Sequence, residues 1–209
     1  LLQELEDANT ILSTITTPIS GDIIYAGKTK QWQKAVNTLH LRLLIHLSKK
    51  ESDATLNIKK QFADIIGNPT KYPLMESNAD NAQLVFNTSA TSNYYPTFNN
   101  LSVSSLVSLE KGLVKLLKDR NDPRLFQFGD PIVGKPANDF ASYEGVDAGQ
   151  IISDQQNVAP NASKINRRYV RSEVNEPLIL IGYSEQEFII AEGISRGWAT
   201  GTASKNYIN

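Results

Sequence analysis

The sequence contains no cysteine, which excludes disulfide frameworks, thiolate metal sites and cysteine nucleophiles. Charge bias is also missing. Its 21 Lys and Arg against 22 Asp and Glu leave a formal net charge of −1, so no bulk electrostatic term favours nucleic acid or acidic lipid. No apolar run reaches the roughly 18 residues that a membrane-spanning helix needs. The opening residues LLQELEDANT lack the basic start and apolar core of a signal peptide. Histidine is scarce: His40 and His46 are the only two, and on one helix they stand roughly 240° apart around the axis, so they cannot share a metal. HExxH, GxSxG, P-loop and dinucleotide fingerprints do not occur. Neither a cofactor nor a metal site is therefore expected.

What is present is an ordinary globular composition, 40% hydrophobic and 21% charged, in a chain long enough to bury one substantial core. Asn, Ser and Thr concentrate in long polar stretches, which favours an exported protein with large surface loops. The apolar pattern is helical. Leu1, Leu5 and Ala8 share a face over residues 1–16, ended at Thr16-Thr17-Pro18 because proline disfavours helix in the residue before it. Thr29 is expected to cap a helix to about Ser48 with a stripe of Trp32, Ala35, Val36, Leu39, Leu43 and Leu47. Leu41, Leu44 and Ile45 widen that stripe around most of the circumference, which predicts a helix between two layers. Arg42 within it must snorkel or pair with an acid. A shorter helix is predicted over 54–66, a short strand at Ala82-Leu84-Phe86, and a further helix over 102–117 with Leu106, Leu109, Leu113, Leu116 and Leu117 as its stripe.

The last predicted element is PLILIGYSEQEFIIAEGISRGW, residues 177–198. Ser184 and Glu187 have capping-box spacing, Phe188, Ala191 and Ile194 with Ile190 form the stripe, Glu192 and Arg196 suit an exposed ion pair, and Gly197 stands where a helix stops. Ala203 and Tyr207 begin a partner helix, the grammar of a tetratricopeptide-type pair. The pair reads as unfinished at residue 209, so the face of Ala191 and Ile194 is expected to take its cover from further sequence.

Two clusters have the composition of a sugar-binding surface, aromatic faces rimmed by amides and carboxylates. Asn93, Tyr94, Tyr95, Phe98, Asn99 and Asn100 form the first; Phe140 and Tyr143, with Asn138, Asp139 and Glu144, form the second. The alternative is that these aromatics pin their own loops. Arg167, Arg168 and Arg171, beside Tyr169, form a basic cluster suited to an acidic sugar, an acidic protein loop or plain solvent exposure. Trp32 and Trp198 read as core, and Asp122 with Arg124 as an ion pair or cap holding a turn. Glu185, Glu187 and Glu192 lie on one helix and have structural roles available, which argues against a glycosidase pair.

Four blocks in order resemble the SusD/RagB family of surface nutrient-binding lipoproteins of Bacteroidetes, in its SusD-like branch. The first is Asp22, Tyr25 and Gly27 followed by Trp32, Asn37, Leu39, Arg42 and Leu43; the second is Asp122-Pro123-Arg124. The third is Glu187, Ala191, Glu192, Arg196, Gly197 and Trp198, and the fourth the trailing ASKNY. Gly193 departs from the family's alanine; it either weakens the helix or admits another backbone. The resemblance implies a mostly α fold of tetratricopeptide-like helix pairs with long irregular loops and little β structure. It implies a single domain over 1–209, its helical scaffold at about 1–66, 102–118 and 177–209 and its loop-rich lobe at about 70–100 and 125–176. It also implies non-catalytic capture of oligosaccharides or peptides for a SusC-like TonB-dependent transporter, at the outer-membrane surface through a lipid anchor outside this chain. The candidate ligand residues are Asn93, Tyr94, Tyr95, Phe98, Asn99, Phe140 and Tyr143. A helical-repeat module whose ligand is another protein is the competing reading.

Overall fold

The computed structural model describes residues 1–100, 102–103 and 107–206, with Ile152 described by its backbone only. The chain forms two compact units, residues 1–85 with 177–209 and residues 86–176.

The first unit is helical. Helices α1 (Leu2–Thr14), α2 (Thr29–His46), α3 (Ile58–Gly67) and, after the helices of the second unit, α8 (Tyr183–Ser195) carry it. Helix α2 is its axis and packs against each of the other three. The expected placement between layers holds, but the buried face is polar as well as apolar. Gln33, Asn37, Thr38 and His40 are buried with Leu41, Leu44 and Ile45. Each of these four side chains makes a hydrogen bond, while Asn37 Oδ1 and His40 Nδ1 have no partner among the described residues. Gln33 Nε2 donates to Asn9 Oδ1 at 2.9 Å, and Asn37 Nδ2 to the Pro73 carbonyl at 3.0 Å. Thr38 Oγ1 donates to Gln186 Oε1 at 2.7 Å, and His40 Nε2 lies 2.9 Å from Gln61 Oε1. Gln186 in turn accepts from the Met75 amide and donates to the Met75 carbonyl, both at 2.9 Å. Arg42 resolves the sequence's choice by pairing with Glu185 while donating to the Leu180 carbonyl at 3.1 Å.

Apolar packing centres on Phe62, fully buried among Leu41, Leu44, Ile58, Ile65, Ile189 and Ile190 and edge-on to Trp198 at 5.7 Å. Gly193 has its reason here. A Cβ on it would lie 2.3 Å from the Phe62 ring, so the close approach is by a side chain rather than a backbone.

Several local expectations are corrected. Helix α8 starts at Tyr183, and no side chain of its own caps it; instead Asn81 Oδ1, remote in sequence, accepts from the Tyr183 amide at 2.7 Å. Glu187 is buried and accepts from Asn206 Nδ2 at 2.7 Å, so it does not complete a capping box with Ser184. Phe188 is 57% exposed, because the inward face is set by Gln186, Ile189, Ile190 and Gly193. Ala191 is fully buried, so its cover is already in place within this unit. Thr29 is the first residue of α2, and its hydroxyl donates to the Ile15 carbonyl at 3.3 Å rather than capping. Gly197 at φ +73° ends α8 as expected, and Arg196 holds Glu192 at 2.6 Å. The partner helix α9 spans Ala203–Asn206; Tyr207 lies outside the described residues.

The family turn has a physical cause. Asp22 Oδ2 accepts from the Gly27 amide and Trp32 Nε1, both at 2.8 Å, and Oδ1 accepts from the Ile24 amide at 2.9 Å. Gly27 adopts φ +83°, and a Cβ there would meet the Ile19 carbonyl at 2.7 Å. Burial pushes the Asp22 carboxyl upward, but hydrogen bonds from Ile24, Gly27, Trp32 and Tyr25 outweigh it, so the group titrates below its ordinary value. Strands β1 (Ala82–Leu84) and β2 (Leu178–Ile181) form a short antiparallel ribbon in the same unit.

The second unit is mostly loops around a small core of Leu109, Val114, Leu117, Leu125 and Tyr143. The helix expected over 102–117 is α4, Lys111–Asp119, and it packs in this unit. Residues 108–110 just before it are extended, with Ser108 bridging Lys164 and Glu110 bridging Val146, while Ser102 and Val103 are helical as expected. Glu110 then caps α4 by accepting from the Leu113 amide at 2.8 Å, which is why the leucine spacing overran the true start. Val114 and Leu117 face inward while Leu113 and Leu116 are exposed; Leu106 lies outside the described residues. In the Asp-Pro-Arg turn, Asp122 Oδ1 accepts from the Arg124 amide at 3.0 Å, ahead of α5 (Leu125–Phe128). The remaining short helices are α6 (Ile152–Val158) and α7 (Arg168–Arg171).

Candidate functional site

The first aromatic cluster lies on a loop that is tied down along its length. The Tyr95 amide donates to the Glu173 carbonyl at 2.8 Å, the Asn99 amide to the Val170 carbonyl at 2.9 Å, and the Thr97 hydroxyl to the Tyr169 carbonyl. Asn99 adopts φ +56°, a left-handed conformation that asparagine tolerates better than most residues. Tyr94 meets Phe98 edge-on at 5.4 Å, and Tyr95 meets Phe86 edge-on at 5.1 Å. All are half-buried, so these rings spend much of their surface on one another. Desolvation, then the neighbouring Tyr169 and Glu176, raise the Tyr95 phenol above its ordinary value. Asn93 Nδ2 closes its own turn onto Asn87 Oδ1 and Ser89 Oγ.

The second cluster does not join the first. Tyr143 is 1% exposed and Phe140 stacks on Phe126 at 4.6 Å. Tyr143 is core packing, and burial raises its phenol. Of the residues singled out by sequence, Asn99, Asn100, Arg167 and Arg171 line one cleft.

That cleft, of about 460 Å³, is lined by Asn99, Asn100, Asp130, Lys164, Arg167 and Arg171, with Val133 and prolines beside them. Arg167 Nε donates to Asp130 Oδ2 at 2.6 Å. Arg168 is turned elsewhere, 4.6 Å from the Tyr169 ring centroid and 2.5 Å from Glu176. Lys164 Nζ donates to Ser108 Oγ at 3.0 Å. Lys164 and Pro160 also line a second, more apolar hollow of about 820 Å³ with Leu109, Val146, Gln155 and Gln156. The two hollows therefore adjoin. Amides, cations and one engaged carboxylate are the group types that binding sites use to orient polar ligands. Among the described residues, no group of three or more His, Asp or Glu could hold a metal.

Lys164, Asp130, Gln155 and Gln156 were not singled out by sequence. They come from segments up to 65 residues from Asn99–Asn100, and in the sequence only the asparagines of that loop and the arginine cluster signalled this surface.

A scaffold of paired helices with a loop-rich unit carrying a polar cleft defines a helical-repeat binding protein. The chain belongs to the SusD-like family: the family model described as starch-binding and associating with the outer membrane matches residues 1–209. Among solved structures, it is similar to an outer membrane protein of Bacteroides vulgatus linked to nutrient binding. They are 38% identical over 99% of this chain and 46% of that one, with a TM-score of 0.89. A SusD homologue of Bacteroides fragilis is 34% identical over 99% of this chain and 44% of that one, TM-score 0.88. A chitin-binding protein, 23% identical over 99% of this chain and 44% of that one, shares the fold at a TM-score of 0.71. The chain spans just under half the length of these structures. No curated protein matches it.

Proposed function

We propose that the protein captures oligosaccharide or peptide nutrients at the outer-membrane surface without chemical change and passes them to a SusC-like TonB-dependent transporter. The observation that carries this reading is the pair of adjoining hollows in residues 86–176, one amide- and cation-lined, the other apolar. Sugar rings need that mixture, apolar faces for burial and polar groups for orientation. Calorimetry with starch, chitin and plant-polysaccharide fragments tests it. Binding is expected at micromolar to millimolar concentration, weakened by an Asn99→Ala, Asn100→Ala double substitution. Absence of binding to every saccharide and peptide tried would end this reading.

The helical unit favours a protein contact as well. Leu178, Ile179 and Leu180 of β2 are each more than half exposed, and such patches mark interaction surfaces. Under the transporter reading, Ile179→Lys should weaken co-purification with the transporter and leave saccharide binding intact. If instead a soluble partner binds and no nutrient does, the chain is a protein-interaction module.

A further inference from the structure

We propose that the ligand is an anionic oligosaccharide, its carboxylate or sulfate group seated between Lys164 and Arg171 and its following rings lying past Pro160 in the apolar hollow. This rests on the binding function above and adds the ligand's charge and direction.

Charge in the first cleft is concentrated. Lys164, Arg167 and Arg171 against Asp130 leave two uncompensated positive charges, in a chain of formal net charge −1. The three cations are not equivalent. Arg167 is committed to Asp130 at 2.6 Å. Arg171 lines the cleft, is exposed, and its guanidinium makes no hydrogen bond or ion pair among the described residues. Lys164 Nζ has the neutral Ser108 hydroxyl as its hydrogen-bond partner, and an ammonium has three donors to place. A cation pair without carboxylates recognises an anionic group by charge-assisted hydrogen bonds.

The amides set the rest of the ligand's chemistry. Asn99 makes no side-chain hydrogen bond among the described residues, and Asn100 uses its oxygen on the Val103 amide, which leaves its NH₂ for an acceptor. Beyond Lys164, Leu109, Val146 and Pro160 give apolar walls, with Gln155 and Gln156 among them; Glu110 also lines this hollow, its carboxylate engaged in capping α4. An acidic peptide would satisfy the cations too. The family's description as starch-binding, and a hollow suited to apolar ring faces, favour a sugar chain.

The test is calorimetry on the purified protein with oligogalacturonate, chondroitin sulfate oligosaccharide, maltooligosaccharide and chitooligosaccharide, with poly-glutamate as the peptide arm. At least one anionic saccharide should bind about tenfold tighter than the neutral ones, and the margin should shrink as salt rises from about 0.02 to 0.5 M. Oligogalacturonate as the tighter ligand identifies a carboxylate; chondroitin sulfate carries both groups, so if it is the tighter ligand unsulfated chondroitin separates carboxylate from sulfate. Arg171→Gln and Lys164→Gln should each remove most of that margin, weakening the anionic saccharides more than the neutral ones. Arg171→Gln should also leave the melting temperature unchanged, which separates a ligand role from a structural one. Equal affinity for neutral and anionic sugars, with Arg171→Gln silent, overturns the charge inference while the binding function stands. Binding of poly-glutamate but no sugar overturns it too, and no binding at all overturns both.

Discussion

The two units solve the same problem, ordering a chain without disulfides, by different means. In the first, α2 buries four polar side chains and bonds each to a different neighbouring segment, with Phe62 filling the space they leave. In the second, a small apolar core anchors long loops that are held largely by backbone hydrogen bonds, such as those at Tyr95 and Asn99. A buried polar seam tolerates little change, because each lost partner strands a desolvated group. Loops tied by their backbones leave their side chains free to vary, and in this chain the cleft is in the loop unit.

The contrast can be broken by substitution. The largest effect is expected for Phe62→Ala, which empties a fully buried ring site; about 3–5 kcal/mol should be lost in denaturant unfolding. Gln186→Leu comes next. It removes the partner of both Met75 backbone groups and the Thr38 hydroxyl, and about 3 kcal/mol should be lost. If it proves neutral, the polar seam is not what holds the first unit.

Asp22→Asn should cost about 1 kcal/mol at neutral pH with a pH signature. The Asp22 carboxyl titrates below its ordinary value of 3.8 in the folded protein. Its contribution is therefore present above that pH and is lost as pH falls through the lower folded value. The wild type should lose stability relative to Asp22→Asn in that acid window, and parallel pH profiles for the two proteins would refute the carboxylate's role. His40 acts in the same direction at higher pH. Burial lowers its pKa from 6.5, more than the Gln61 hydrogen bond raises it, so acidification charges a group the fold holds neutral. The smallest stability effect is expected for Asn99→Gly, which removes the side chain and keeps the left-handed backbone accessible, within about 0.5 kcal/mol; a large loss there would show that the loop unit depends on its side chains after all.

Apolar spacing was enough to place α2 between layers, to find α3 near 54–66 and the strand at Ala82, and to end α8 at Gly197. The family blocks were marked by resemblance and not by spacing, and Asp22 shows why such a block is restricted: one carboxylate ties three backbone and indole donors into a turn. Spacing failed where inward residues are polar. Gln186 and Glu187 face the core while Phe188 faces out, and a scheme that assigns apolar residues to the inside reverses them. It failed again at Glu110, where a cap separates extended chain from helix inside one run of regularly spaced leucines.

The binding surface divides in the same way. The amide- and aromatic-rich loop of 93–100 and the arginines of 167–171 stand out by composition. That Asn99 shares a cleft with Arg171, while Tyr143 is core, depends on long-range pairing of segments about 70 residues apart. Helical class, the tight Asp22 turn and the absence of thiol chemistry were determined by sequence alone, because each depends on local spacing or residue type. Which polar groups are buried, which aromatics pack and which cations are left for a ligand was decided by tertiary structure, because partners for desolvated groups come from distant parts of the chain.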